Sequence, residues 1–261
     1  MTARQPVLFL SHGSPLTALG GDELNRTWLA LAGNLSRPRA ILMISAHWMT
    51  RVTLVSGAPT PATIHDFGGF PDELYALKYP APGAPELAQR VKQQLTDAGI
   101  ATGVDPTRGL DHGAWVPLMA LFPQADVPVL QLSIQPERCA RHHFALGTAL
   151  SSLSDEGVLI IGSGHMTHNL MDWLRPPAVL PAPGSASFRD WAHQAIVQGD
   201  DEALFGWDQV SGAQDAHPSN DHFLPLFAAL GAASTGRSVT WVGGGWIENA
   251  LAADNYLFMR Q

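Results

Sequence analysis

Three apolar runs in this chain each stop at a histidine. Residues 7–10 lead into Ser11-His12, residues 41–44 into Ser45-Ala46-His47, and residues 158–161 into Gly162-Ser163-Gly164-His165-Met166-Thr167-His168. Unbroken runs of β-branched and aliphatic residues bounded by turn residues predict strands buried on both faces, as in a parallel sheet. Between the first two runs Leu24, Trp28, Leu31 and Leu35 recur at helical spacing, so this stretch is a strand, helix and strand unit. Residues 52–55 follow the second strand after a tight turn and are expected to pair beside it as a hairpin or short edge strand. Further on, Leu87, Val91 and Leu95 share one face of a helix opened by Pro85 and closed by Gly99. An apolar helix is predicted over 116–122, with Pro117 in its opening turn, where a missing N–H costs least. A strand over 127–134 precedes a helix that starts at Pro136 and turns Leu146, Leu150 and Leu153 inward. After the third histidine-bearing strand come a proline-rich connection over 174–185 and a helix with Phe188, Trp191, Ala195 and Ile196 inward. An apolar helix around Phe223 and two closing strands over 238–242 and 255–258 complete the pattern. Alternating strands and helices with no break in composition give an α/β fold, one domain over residues 1–261 with a central mostly parallel or mixed sheet and helices on both faces. Ligands of open α/β sheets bind outside the carboxyl ends of the strands, so three histidines at such ends are candidates for one metal site.

Composition narrows the functional classes. The chain has 261 residues, 46% of them hydrophobic, enough for a sizeable core. A formal net charge of -8 leaves no basic surface for non-specific binding of nucleic acid or anionic membrane. The single cysteine, Cys139, excludes an internal disulfide and zinc sites built from cysteine pairs, and is expected as a packed helix residue. No stretch approaches the ~18 apolar residues of a membrane span, and the first apolar run is too short for a signal-peptide core, so the expected location is the cytoplasm. Residues 57–84 are rich in Gly and Pro, and a loop of that length in a compact domain is expected to wall or cover a site.

An isolated histidine is ordinarily a surface or hydrogen-bonded core residue. That reading holds for His142, His143 and His193, which lie inside helices without a convergent partner. His12, His47 and His168 share the strand-end position, which turns the balance toward a common role. His222 follows Ser219, Asn220 and Asp221, any of which can cap the next helix, and so lies near a helix N-terminus. The spacing of His165, three residues before His168, does not decide whether it faces the site or the core. Gly162-Ser163-Gly164 and Gly243-Gly244-Gly245 lack the dinucleotide fingerprint, and Ser11 has Phe9 where a G-x-S-x-G nucleophile elbow has its first glycine.

Six short motifs, in order along the chain, carry a resemblance. They are Ser11-His12-Gly13-Ser14-Pro15, Ser45-Ala46-His47-Trp48, His65-Asp66-Phe67-Gly68-Gly69-Phe70-Pro71, Leu110-Asp111-His112-Gly113-Ala114-Trp115, His168-Asn169-Leu170, and His217-Pro218 with Asp221-His222-Phe223. Together they resemble the class III (LigB-type) extradiol ring-cleavage dioxygenases, and among these the 4,5-DOPA extradiol dioxygenase branch. The resemblance implies a divalent metal held by His12, His47 and His222, with Fe(II) for dioxygenase activity. It implies that His168 is the acid/base residue and also approaches the metal as a fourth ligand, and that His112 aids proton transfer or holds a substrate oxygen. The implied partners are a small catecholic substrate and O2, with no nucleic acid and no membrane. Protocatechuate-cleaving relatives have a glutamate where His222 stands, and an all-imidazole set suits Zn(II) as well as Fe(II). Phe67, Phe70, Tyr75, Trp48 and Trp115 are candidates to wall the substrate ring, and Arg108 and Lys78 to meet a substrate carboxylate. Two other readings stay open: a zinc hydrolase with His168 or Asp111 as base, and a non-enzymatic metal-binding protein on the same fold.

Overall fold

The structure, a computed structural model, describes residues 4–176, 181–233 and 236–260. In chain order its elements are β1 (Val7–Ser11), α1 (Glu23–Ala32), β2 (Ala40–Met49), β3 (Thr53–Ser56), α2 (Asp72–Ala76), α3 (Pro85–Asp97), β4 (Thr102–Asp105), α4 (His112–Leu121), β5 (Val129–Ile134) and α5 (Ala140–Leu150). There follow β6 (Val158–Gly164), α6 (Pro183–Gln198), α7 (Asp201–Phe205), α8 (Ala213–Ala216), α9 (Leu224–Ala233), β7 (Ser238–Gly243), β8 (Trp246–Ile247), β9 (Leu251–Ala252) and β10 (Asn255–Met259). Eight strands form one mixed sheet in the order β4-β3-β5-β2-β6-β1-β10-β7, and β8 and β9 make a small separate pair. Its centre, β5-β2-β6-β1, is parallel.

Side chains of a strand alternate between faces, and both faces of the central strands are apolar. Val7, Phe9, Leu42, Ile44, Leu130, Leu132 and Ile160 pack with residues of α3, α5, α6 and α9. Leu8, Leu10, Ile41, Met43, Leu159 and Ile161 pack with α1 and α4 on the other face. This double burial is why the strands appear in the sequence as unbroken apolar runs. The register pairs Ser45 with Ser163 and Ser11 with Gly164, so the ends of β1, β2 and β6 stop at one level.

Four local expectations are corrected. Residues 52–55 do not pair beside β2: β3 joins β4 in parallel and β5 antiparallel, so β5 separates it from β2. The helix expected from Pro136 begins at Ala140, and Cys139 is an exposed thiol preceding it instead of a packed helix residue. Helix α4 starts at His112, capped by the Asp111 side chain on the Ala114 N–H, which puts Pro117 inside the helix and not in its opening turn. Part of the proline-rich connection over 174–185 lies outside the described residues. Among the described residues no helix is long and apolar enough to cross a membrane.

The histidine of α5 that reads from sequence as structural shows what burial does to stability. His143 is fully buried; its Nδ1–H donates to Cys139 O at 3.1 Å and its Nε2 accepts from Gln135 N–H at 3.1 Å. Burial pushes its pKa down to about 4. The unfolded chain therefore takes up a proton on this ring near its ordinary value of ~6.5, while the fold resists until about pH 4. Unfolding is then favoured as pH falls through that window, by on the order of 3 kcal/mol at its lower end. Urea unfolding at pH 7.5 and 5 should show a smaller pH-dependent loss for His143→Gln than for the parent chain.

Candidate metal centre

His12 follows the last residue of β1, and its backbone N–H donates to Gly164 O at 3.1 Å on the adjacent strand. Its Nδ1 lies 3.1 Å from the Ser163 hydroxyl, which itself donates to Gly113 O at 2.5 Å. That carbonyl is free because Pro117, four residues on, has no N–H to offer it. With its proton committed to Gly113, the Ser163 oxygen accepts from His12 Nδ1–H, and this leaves a lone pair on His12 Nε2. Ser163→Ala removes the partner that fixes this tautomer. The expected result is a folded protein whose metal affinity, measured by calorimetric titration, drops by about 10–100-fold.

His47 lies near the end of β2, within the break between Ile44 and Met49 in its ladder with β5. Its N–H donates to Ser45 Oγ at 3.2 Å, and Ser45 Oγ donates to Asp111 Oδ1 at 2.7 Å. Asp111 is fully buried and saturated: Oδ1 also caps Ala114 N, and Oδ2 receives Arg108 Nη2 and Gln131 Nε2, each at 2.7 Å. A carboxylate so engaged braces the strand end and is not a free base. Arg108 Nη2 is engaged too, on Asp111 and on His47 O, with the guanidinium 5.1 Å from the Trp48 ring centre.

His222 comes from the turn before α9. His165 N–H donates to His222 O at 2.9 Å and ties this turn to the end of β6. The approach requires Gly164, where a Cβ would lie 2.1 Å from His222 O. His222 Nδ1 is 2.5 Å from Asp221 Oδ2. A carboxylate only accepts, so His222 Nε2 also carries a lone pair. Asp66 Oδ2, 3.6 Å from His47 Nδ1, favours the same tautomer there.

The three Nε2 atoms converge, with 3.0 Å between those of His12 and His47 and 3.3 Å between those of His47 and His222. An ion bonded to imidazole nitrogens at about 2.0–2.1 Å holds them about 3.0–3.4 Å apart. Burial, reinforced by neighbouring imidazoles, pushes His12 and His222 well below the ordinary histidine range and His47 down to about 4. Neutral rings with inward lone pairs and outward N–H groups held by protein are the donor set a divalent ion takes.

The remaining expected residues surround this set. His168 lies flat on His222, with ring centres 3.4 Å apart and planes 6° apart, and burial pushes its pKa to about 2. It is not among the three whose nitrogens converge, but one of its nitrogens lies within 4.8 Å of donor atoms of Asp221 and His222. The His112 ring centre is 3.9 Å from that of His47, and its Nδ1 is 3.0 Å from Asp66 Oδ1 but poorly aligned for a hydrogen bond. Phe67 meets the edge of His112 at 5.7 Å and continues into Phe70 and Tyr75, each 5.3 Å away. Trp48 and Trp115 are core residues, and Lys78 is exposed.

Comparison with known proteins settles the family. A model of the catalytic LigB subunit of aromatic ring-opening dioxygenase matches residues 7–259. The chain belongs to the LigB family. It is thus an enzyme of the extradiol, aromatic ring-cleaving class. Its relatives include a protein of Beta vulgaris called 4,5-DOPA dioxygenase extradiol, 40% identical over 96% of this chain and 95% of its own. A protein of Escherichia coli K12 with the same name is 40% identical over 88% of this chain and 86% of its own. Among solved structures, an uncharacterized protein from Escherichia coli K12 superposes with a TM-score of 0.81 at 33% identity, covering 97% of this chain and 99% of that one.

Three members of this LigB site escaped the sequence reading. Ser163 reads as a turn residue, and only its contacts with His12 and Gly113 give it a role. Asp66 and Asp221 each adjoin a histidine in sequence, a weak signal that could have marked them as partners of ligand rings. His165, undecided from spacing, turns toward the site: its ring centre is 4.8 Å from that of His12, and its Nε2 lies 3.3 Å from Gly13 O.

Proposed function

We propose that this chain is a metal-dependent dioxygenase that opens the ring of a catecholic, DOPA-like substrate beside its diol and places both atoms of O2 in the product. The observation that carries this reading is the convergence of three Nε2 lone pairs, with the outward nitrogens of His12 and His222 held by Ser163 and Asp221 and that of His47 facing Asp66 at 3.6 Å. His12, His47 and His222 would hold the ion, Fe(II) in the active enzyme, although the all-imidazole set also accepts Zn(II). When bound, Fe(II) supplies open positions for the two catechol oxygens and for O2, and lowers the pKa of the bound hydroxyl.

The chain's own residues do the rest. His168, with ring nitrogens that bond to no other described residue, takes the proton of a catechol hydroxyl and later returns it as the oxygen bond breaks. His112, with Nδ1 held toward Asp66, presents its other edge to a substrate oxygen. Phe67 offers an apolar face beside His112 for the aromatic ring.

Protein loaded with Fe(II) under anaerobic conditions and mixed with catechols in air should consume one O2 per ring and form a yellow semialdehyde. Absence of oxygen uptake across a panel of catechols overturns the reading. Oxygen-independent hydrolysis by the zinc-loaded protein would move it to the hydrolase class, although the saturated Asp111 offers no base for that chemistry.

A further inference from the structure

We propose that Asp66 is a latch through which occupancy of the metal centre orders the aromatic loop that borders it. This rests on the metal-centre reading above and adds a behaviour to it. Between β3 and α3 the chain makes a long excursion over 57–84, and its two limbs are fastened to the body by backbone bonds. Ile64 N donates to Leu110 O at 2.7 Å and Leu110 N to Ala62 O at 2.8 Å, Val129 N donates to Pro82 O at 2.8 Å, and Gly83 N ties the two limbs together through Pro59 O at 2.8 Å. The tip, residues 66–77, has no such backbone bond to the body among the described residues; its far end is held by buried Leu74 and by His65 Nε2 at 3.0 Å from Leu77 O. Gly68 and Gly69 have nothing within 4 Å of where a Cβ would lie, and α2 is only five residues long.

What holds the near end of the tip to the site is the Asp66 carboxylate. Oδ1 accepts the His112 backbone N–H at 2.9 Å and also faces the His112 ring at 3.0 Å, out of line. Oδ2 faces His47 Nδ1 at 3.6 Å, just beyond hydrogen-bond length. One of the three contacts is therefore closed and two are nearly so. His112 is 7% exposed, and its Nδ1 has no properly formed bond among the described residues. Phe67, the next residue, is the ring that meets His112, so drawing Asp66 inward seats the aromatic wall.

A cation on His47 Nε2 withdraws charge from the ring and makes Nδ1–H a stronger donor, which shortens the contact to Oδ2 and holds the tip. Linkage makes the effect reciprocal: whatever factor the metal contributes to closing the latch, the latch contributes to metal affinity. The loop that bounds the substrate space would then be formed on the metal-loaded enzyme and looser without it.

The test is hydrogen exchange of residues 66–77 with and without Zn(II), a redox-inert probe, alongside calorimetric Zn(II) binding. In the parent chain Zn(II) should slow exchange of these amides about tenfold, with no comparable change in β5. Asp66→Asn keeps an oxygen for the His112 N–H and loses the anionic face toward the rings. It should bind Zn(II) about tenfold more weakly, within the range expected for a lost partner of a ligand ring. Its tip should exchange at the same rate with and without saturating Zn(II). Equal protection of the tip in both proteins overturns the proposal, as does a parent chain that binds Zn(II) with an indifferent tip. A parent chain that does not bind Zn(II) at all overturns the metal-centre reading itself, and the proposal with it.

Discussion

His222→Ala is expected to leave a folded protein that has lost its metal and its ring-cleaving activity. Removing a partner of a ligand ring costs about 10–100-fold in affinity, and removing a ligand should exceed the upper end of that range. The fold should survive, because the change vacates one mostly buried side chain in a turn and costs about 1–3 kcal/mol. It also relieves crowding, since the His168 ring lies against one face of His222 and the His47 Nε2 is 3.3 Å from its own. His168→Ala makes the contrast. If His168 carries protons and does not bind the ion, this variant keeps near-parental affinity and loses turnover. Calorimetric metal titration and oxygen uptake on both variants distinguish the two roles. Loss of metal from His168→Ala with retention in His222→Ala would reverse the assignment.

Gly164→Ala should be nearly as damaging, although position 164 contributes no chemistry. The added carbon would lie 2.1 Å from His222 O, a distance no rotamer change relieves because the obstacle is backbone. Either β6 or the turn before α9 must move, and the bond from His165 N to His222 O is lost with the movement. A forced shift in a packed interior costs about 1–3 kcal/mol, and here it displaces a ligand as well. Both Tm and metal affinity should fall together. Gly33→Ala, at the end of α1 and away from the site, is the control: its φ is −63° and its Cβ position is an ordinary 3.6 Å from Ala30 O, so both quantities should stay near parental values. A Gly164→Ala protein with parental metal affinity would mean that His222 does not depend on this contact.

Much of the fold could be read from the sequence for a physical reason: strands buried on both faces must be apolar throughout, so β1, β2 and β6 announce themselves. The partner of a short strand is a different matter. Residues 53–56 carry four side chains, compatible with several neighbours, and their place beside β4 and β5 is set by packing far along the chain. The start of α4 is hidden in the sequence because its first turn reads as a loop motif, and with it the meaning of Pro117, which frees a carbonyl for the Ser163 relay.

The site divides in the same way. His12 and His47 were visible because a histidine at the end of an apolar strand has a predictable place. His222 was not distinguished by periodicity and was singled out through the resemblance. Ser163, Asp66 and His165 act through contacts between residues 46 to 152 positions apart, which no local pattern encodes.

The most direct measurement is anomalous X-ray scattering at the iron edge from crystals of protein loaded anaerobically with Fe(II). One peak per chain is expected, bonded to Nε2 of His12, His47 and His222, with the His168 ring stacked on His222 and not bonded to the ion. A peak bonded to His12, His47 and His168 but not to His222 would contradict it.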